Sequence, residues 1–252
     1  MERKLSEIMD VCLLAGELML KSGAETYRVE DTMTRMARAF NIQSVNVFVS
    51  PTAIILSVQE RDFKSEQTKL TRITERSVDL HKVVLVNDIS RKVSQGLLTL
   101  KETQSALDQI VRSAPAYPLW VQILAAAVSS GCFTIMFKGT WHDFLPAVVT
   151  GAIGFIVFKV LHHLVKVKFF SEVMAALAIG LAARLFIGLG VASELDKIII
   201  GSVMPLVPGL LITNAIRDLM AGDLMSGLSR GAEAFFTAFA IGTGIAVVLS
   251  IF

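Results

Sequence analysis

Beyond residue 116 the chain carries five apolar runs, at about 119–137, 144–165, 170–190, 195–216 and 229–252. Each is close to the ~20 residues that cross a ~30 Å hydrocarbon core as a helix. Inside a bilayer no water meets backbone N–H and C=O groups, so only structures that pair these groups internally survive. Long, continuous apolar runs do this as helices. Charge follows the same division: residues 1–115 hold 16 Lys/Arg and 15 Asp/Glu, and the longer remainder only 8 and 7. The sequence therefore reads as an α-helical polytopic membrane protein, with a small soluble domain over 1–115 and five transmembrane helices over 116–252.

Arg3 and Lys4 are not followed by an apolar core and a small-residue cleavage site, so no secretory signal is expected and the soluble domain should stay in the cytosol. With the N-terminus inside, His162, His163, Lys166, Lys168, Arg217 and Arg230 fall in cytosolic connections, and Lys138 and Lys197 fall outside. That distribution satisfies the positive-inside rule, in which Asp143, Glu194 and Asp196 carry little weight. The expectation is a multi-pass protein of the plasma or inner membrane, with a cytosolic N-terminus and Phe252 on the far side.

Within 1–115, Leu5, Ile8, Met9, Cys12, Leu13, Gly16 and Met19 follow helical spacing up to a stop at Ser22-Gly23. A second helix begins near Thr26, expected as its cap with Glu30 and Asp31 in the first turn, and buries Val29, Met33, Met36, Ala37 and Phe40. After Asn41 the period becomes two. Val45, Val47 and Val49 form one strand, Ala53–Val58 a second, and Thr68–Ile73 a weaker third. Asp79–Gln95 reads as a helix, and Thr99-Leu100-Lys101-Glu102 is a capping box opening another. The order is ααβββαα. Pro115 and Pro118, with Tyr117 and Trp120, mark the junction with the membrane.

A net charge of +2 and the lack of a basic stripe interleaved with aromatics exclude nucleic acid as a partner. Cys12 and Cys132 have no metal-ligand spacing and read as small buried apolar residues, so no metal is expected. No phosphate-binding loop, nucleophile elbow or His-Glu-x-x-His pair occurs. The chain is expected to be neither an enzyme nor a nucleotide-driven pump, and to need no cofactor.

The candidate site starts from a broken helix. Pro205 and Pro208 each remove an amide donor and Gly209 permits sharp re-aiming, inside an otherwise apolar run. In a membrane such a break is tolerated where protein or a water-filled cavity satisfies the freed groups, as at transporter substrate sites. Beyond it, Asn214, Arg217 and Asp218 share one helical face, which offers an amide, a guanidinium able to grip a carboxylate, and a carboxylate able to hold an amine or proton. The alternative is a proline-kinked helix with a solvated end. Within the spans Lys159, Glu172 and Arg184 carry charge at a cost: the first two lie near cytosolic ends, where snorkelling would suffice, and Arg184 further in. In the soluble domain, the turn Gly23-Ala24-Glu25-Thr26, with Arg28 and Glu30, is either an anion-holding helix start or a plain joint between helices.

Two motifs in this order, Ser22-Gly23-Ala24-Glu25-Thr26-Tyr27-Arg28-Val29-Glu30 and Val207-Pro208-Gly209…Asn214-Ala215-Ile216-Arg217-Asp218…Gly222-Asp223…Ser226-Gly227…Arg230, resemble the threonine/serine exporter family. Length and layout are similar to the larger, five-span subunit of its split form, the YjjP-type subunits of succinate export among them. The resemblance implies a cytosolic domain preceding the spans. It also implies a partner, a YjjB-like small membrane subunit that supplies the second half of the transporter. The implied cargo is a small carboxylate-bearing metabolite, an amino acid such as threonine or serine or a dicarboxylate such as succinate. Asp218 leans toward amino acids, because it would hold an ammonium and repel a second carboxylate.

The resulting expectation is proton-coupled secondary export. Substrate binds near Pro208-Gly209 and Asn214, Asp218 or Asp223 carries the proton, and Arg184, Glu172 and Lys159 serve as further proton or counter-charge groups. Two other classes stay open: a membrane-anchored hydrolase with Glu25 and Glu30 as acid and base, and a sensor in which the cytosolic domain binds the metabolite.

Overall fold

A computed structural model describes residues 2–59, 66–74, 76–114 and 117–251, which leaves Pro115 and Phe252 outside the described residues. Two compact units emerge. One comprises Met1–Ala116 with Leu210–Gly231, the other Tyr117–Gly209 with Ala232–Phe252.

The first unit opens with α1 (Glu2–Lys21) and α2 (Thr26–Ala39), continues through β1 (Ser44–Ser50), β2 (Ala53–Gln59) and β3 (Glu66–Arg72), and adds α3 (Leu80–Ser94) and α4 (Leu100–Arg112). The strands form an antiparallel sheet in the order β1-β2-β3, with Leu56 opposite Val47 on one side and Lys69 on the other. Period-two alternation on the central strand points Ile54, Leu56 and Val58 into the core, where they join Met9, Met33 and Leu107. Each such side chain contributes roughly 1.5–3 kcal/mol on burial. Asp79 caps α3 by accepting from Lys82 N–H at 3.3 Å, and Thr99 and Glu102 form the expected capping box on α4. Cys12 is buried, which pushes its thiol up to about 12 and keeps it in the unreactive protonated form.

The start of α2 departs from expectation. Glu25 occupies the N-cap position, Thr26 is the first helical residue, no side chain of the turn caps the helix, and no acid lies in its first turn. The donors left open there are satisfied from elsewhere.

The second unit contains α5 (Leu119–Met136), α6 (Trp141–Val165), α7 (Lys168–Gly188) and α8 (Leu195–Val203). A 3₁₀ turn follows at Met204–Leu206, then α9 (Gly209–Ala221) and α10 (Leu224–Ile251); the division between the units falls at the start of α9 and within α10. Among the described residues four helices, α5, α6, α7 and α10, are long and apolar enough to cross a membrane, or up to five if the broken pair Leu195–Leu206 and Gly209–Ala221 is one span. The apolar run 195–216 is therefore not one helix. Helical bonding lapses at the two prolines, which have no N–H to donate, and Gly209 N–H bonds Val207 O at 2.8 Å as the helix restarts.

Helix packing in this unit relies on small residues. Ala126, Ala127, Ser130 and Gly131 are buried on α5, and Ala147, Thr150, Gly151 and Gly154 on α6. Lipid provides no hydrophobic drive between helices, so close backbone approach takes its place. Asp143, an apparent loop charge in the sequence, is fully buried: it boxes Thr140 at the start of α6 and accepts from Ser193 N–H at 2.7 Å and Glu194 N–H at 3.2 Å. Cys132, expected to be buried, is exposed on α5, because an apolar side chain on a candidate span has no need of protein cover.

Candidate functional site

The turn between α1 and α2 is shaped by its backbone. Gly23 adopts φ +94°, a left-handed conformation that a side chain would strain, and a Cβ there would lie 3.3 Å from Leu210 Cδ2. The turn is also held from below, as Ser77 N–H bonds Lys21 O at 2.8 Å and Asp79 N–H bonds Ser22 O at 3.1 Å. It presents three carbonyl or amide groups outward, and α9 and the start of α10 meet them.

Asp218 is the centre of this contact. Thr26 donates its backbone N–H to Asp218 Oδ1 at 3.1 Å and its hydroxyl to Oδ2 at 3.1 Å. Arg230 places Nε 3.2 Å from Oδ2 and donates from Nη2 to Ala24 O at 2.9 Å. Asn214 donates to Gly23 O at 2.9 Å. Asp218 is 0% exposed and Arg230 4%, so the pair is deeply buried. The carboxylate thus caps α2 from outside the helix, on the positive end of its dipole.

Around this centre lies a looser shell. Glu25 is held by Arg28 at 3.1 Å and by Arg217, whose own side chain is 55% exposed. Burial would raise the Glu25 carboxyl, but its own backbone N–H, Arg217 and Arg28 together hold it below the usual range. Glu30 accepts from Val49 N–H at 2.9 Å, and Ser226 donates to Val49 O at 3.3 Å, so this edge strand is joined to both α2 and α10. Burial raises the Glu30 carboxyl above the usual range, with the Asp223 and Asp218 charges adding to it. Asp223 is raised as well, by burial and then by Asp218. Glu25 and Glu30 therefore face different partners, the first Arg28 and Arg217, the second the Val49 amide.

The structure thus brings Gly23, Ala24, Glu25 and Thr26 together with Asn214, Arg217 and Asp218. It adds Ser226 and Arg230, which the sequence places in the second motif, with Arg230 also read as a connecting-segment charge, without pointing to a role in the site. The signal for Arg230 was an arginine just inside a long apolar helix, beyond a run containing an aspartate.

Residues 10–252 match the family described as "Putative threonine/serine exporter". The chain belongs to that family. It is 26% identical over 241 residues to a "Probable succinate transporter subunit YjjP" of Klebsiella aerogenes, covering 95% of this chain and 92% of the relative. The Escherichia coli protein of the same description is 27% identical over 247 residues, covering 96% and 93%. A "Probable threonine/serine exporter" of Mycobacterium tuberculosis is 22% identical over 246 residues, 96% of this chain but 46% of the relative. No solved structure matches.

In this exporter-family chain the remaining sequence candidates belong to the membrane unit. Pro208 lines a groove of about 410 Å³ with Val203, Val207, Ile241, Ile245 and Leu249. Its lining side chains are all apolar, so none of them pairs with a carboxylate. Arg184 lies exposed one turn before the end of α7 rather than deep in a span, and Lys159 sits 5.3 Å over the Phe155 ring. Glu172 is buried. Among the described residues, no three His, Cys, Asp or Glu side chains group to hold a metal.

Proposed function

We propose that this chain is one subunit of a proton-coupled secondary exporter for a small carboxylate-bearing metabolite, a threonine/serine-type amino acid or a dicarboxylate such as succinate. Family membership and the names of the relatives support export, and the word subunit in two of those names supports a second membrane protein, of the YjjB-like type, as partner. In this reading the N-terminal unit faces the cytosol at the inner membrane and the C-terminus lies on the far side.

The observation that carries the mechanism is the carboxylate already seated in the N-terminal unit. An open helix start, the Thr26 hydroxyl and the buried Arg230 together hold Asp218. A substrate carboxylate has the same chemistry and competes for the same donors. Its arrival releases Asp218 and, with it, the grip of Asn214 and Arg217 on the Gly23–Glu25 turn. α9 continues directly from the helix break at Pro205 and Pro208, so release at one end frees the broken segment to move. The cluster acts as a latch that substrate opens from the cytosol, with Pro205, Pro208 and Gly209 as the hinge.

The test uses membranes containing this chain and its small-subunit partner. Asn214→Ala, Arg217→Ala and Asp218→Asn are compared with wild type for counterflow of labelled threonine, serine and succinate, at matched protein amounts. Reduced exchange in the Asp218→Asn variant above all is expected, and undiminished exchange in all three variants removes the latch from the transport cycle.

A further inference from the structure

Burial in the membrane unit leaves polar atoms of a different kind. Glu172 on α7 is 2% exposed and Thr237 on α10 is 1% exposed. The Thr237 hydroxyl lies beside the Glu172 carboxyl and is the side chain poised to bond it, but among the described residues Glu172 Oε2 and Thr237 Oγ1 are each left short of a hydrogen bond of full geometry. One helical turn away, Lys168 of α7 pairs with Glu233 of α10 at 2.7 Å. Both steps are four residues, 168 to 172 and 233 to 237, so the ion pair and the open pair form successive rungs between the two helices. The helices approach closely further along, where a Cβ on Gly244 would lie 2.4 Å from Val173 O. No larger ligand is needed to explain the open atoms. A proton is enough.

We infer that Glu172 is the carboxyl that carries the coupling proton, with Thr237 as its hydrogen-bonding partner in both protonation states. This rests on the proposed reading of the chain as a proton-coupled exporter. The hydroxyl suits the role, since it donates to a carboxylate and accepts from a carboxylic acid without either helix moving. Charge supplies the coupling. Lys168 and Glu233 cancel, so ionised Glu172 leaves the three-residue cluster at net −1 and protonated Glu172 leaves it neutral. An intramembrane cluster moves through apolar surroundings at low cost only when neutral. In each cycle a proton from the outer side adds to Glu172 as substrate leaves, the neutral cluster makes the return, and the O–H bond breaks again toward the cytosol as the next substrate binds.

Other titratable groups on the helices packed against α7 are engaged elsewhere. Asp143 of α6 is bonded to Ser193 and Glu194 beyond the opposite end of α7, and Asp196 and Lys197 of α8 pair with each other at 3.0 Å near that same end. Lys159 lies over Phe155 of its own helix, and His162 and His163 are exposed at the end of α6. The charges that reach Glu172 are those of Lys168 and Glu233.

The experiment reconstitutes the full complex in proteoliposomes and measures two quantities for wild type, Glu172→Gln and Glu172→Asp: exchange without a pH gradient, and accumulation driven by one. For one proton per substrate, a gradient of one pH unit drives about tenfold accumulation in wild type. Glu172→Gln is expected to keep exchange within about twofold, to lose its pH dependence, and to show no gradient-driven accumulation. Glu172→Asp is expected to keep the gradient response with a displaced pH profile. Accumulation by Glu172→Gln equal to wild type overturns the inference while leaving export intact. Loss of exchange in both variants, at normal amounts in the membrane, also overturns it by making Glu172 a structural residue. A wild-type complex that exchanges substrate without responding to the gradient does the same. Absence of any wild-type exchange overturns the proposed function itself.

Discussion

Asp218 and Glu172 are both buried carboxyl groups, but their surroundings are opposite. Asp218 in the N-terminal unit receives an amide, a hydroxyl and a guanidinium. Glu172 in the membrane unit keeps an oxygen without a hydrogen-bond partner among the described residues. A carboxylate surrounded by donors joins parts of the chain. One left open is free to change its charge. The contrast separates holding from switching, two tasks that composition alone does not distinguish.

The sharpest way to break this contrast is to remove one partner from each cluster and compare stability. Arg230→Ala leaves Asp218 buried without its counter-charge and should cost about 3–5 kcal/mol, read as a large fall in Tm of the purified full chain. Glu172→Gln removes a carboxyl whose neighbouring cation, Lys168, is already paired with Glu233, and should leave Tm unchanged or raise it. Equal destabilisation by the two variants would erase the distinction.

A second pair of variants sharpens the holding side. Arg217→Ala takes away a half-exposed guanidinium while Arg28 stays on Glu25, so roughly 0.2–1 kcal/mol is expected, far below the Arg230 effect. If the two arginines cost the same, burial is not what makes the Asp218 contact strong.

The smallest effect lies in pH dependence. Glu30 and Asp223 have raised carboxyls in the folded chain, so between their unfolded values of about 4.3 and 3.9 and their higher folded values the native state binds more protons than the unfolded one. Their contribution to stability is therefore present at low pH and is lost as pH rises through that window. Glu25 is lowered and works the other way: its contribution is present above about pH 4.3 and is lost as pH falls through its folded value. Asp223→Asn should raise Tm slightly at pH 7, and the gain should vanish near pH 3. A gain that persists unchanged at pH 3 would show that Asp223 acts through something other than its charge.

Much of the frame was legible because it depends on local chemistry. The helix break follows from two prolines that lack an N–H, the start of α3 from Asp79, the start of α4 from Thr99 and Glu102, and the strands from period-two valines. Helical arithmetic also put Asn214 and Asp218 on one face. What that face meets was not legible, since Thr26 looks in sequence like a residue that caps its own helix. The actual cap is Asp218, brought by a contact across 192 residues. Thr237 carries no signal at all in an apolar run, because its relevance comes only from a neighbouring helix.

That external cap also sets a clock. Chains are synthesised at about 5–20 residues per second, so roughly 10–40 s separate the appearance of Thr26 from that of Asp218. Throughout that interval the first turn of α2 has open donors and the Gly23 carbonyl lacks its amide from Asn214. The N-terminal unit, although made first, is completed only after α5, α6, α7 and α8 have been synthesised. Completion of the N-terminal unit is therefore timed from the C-terminal third of this exporter-family chain, and it cannot come before the apolar helices between its two segments have been made.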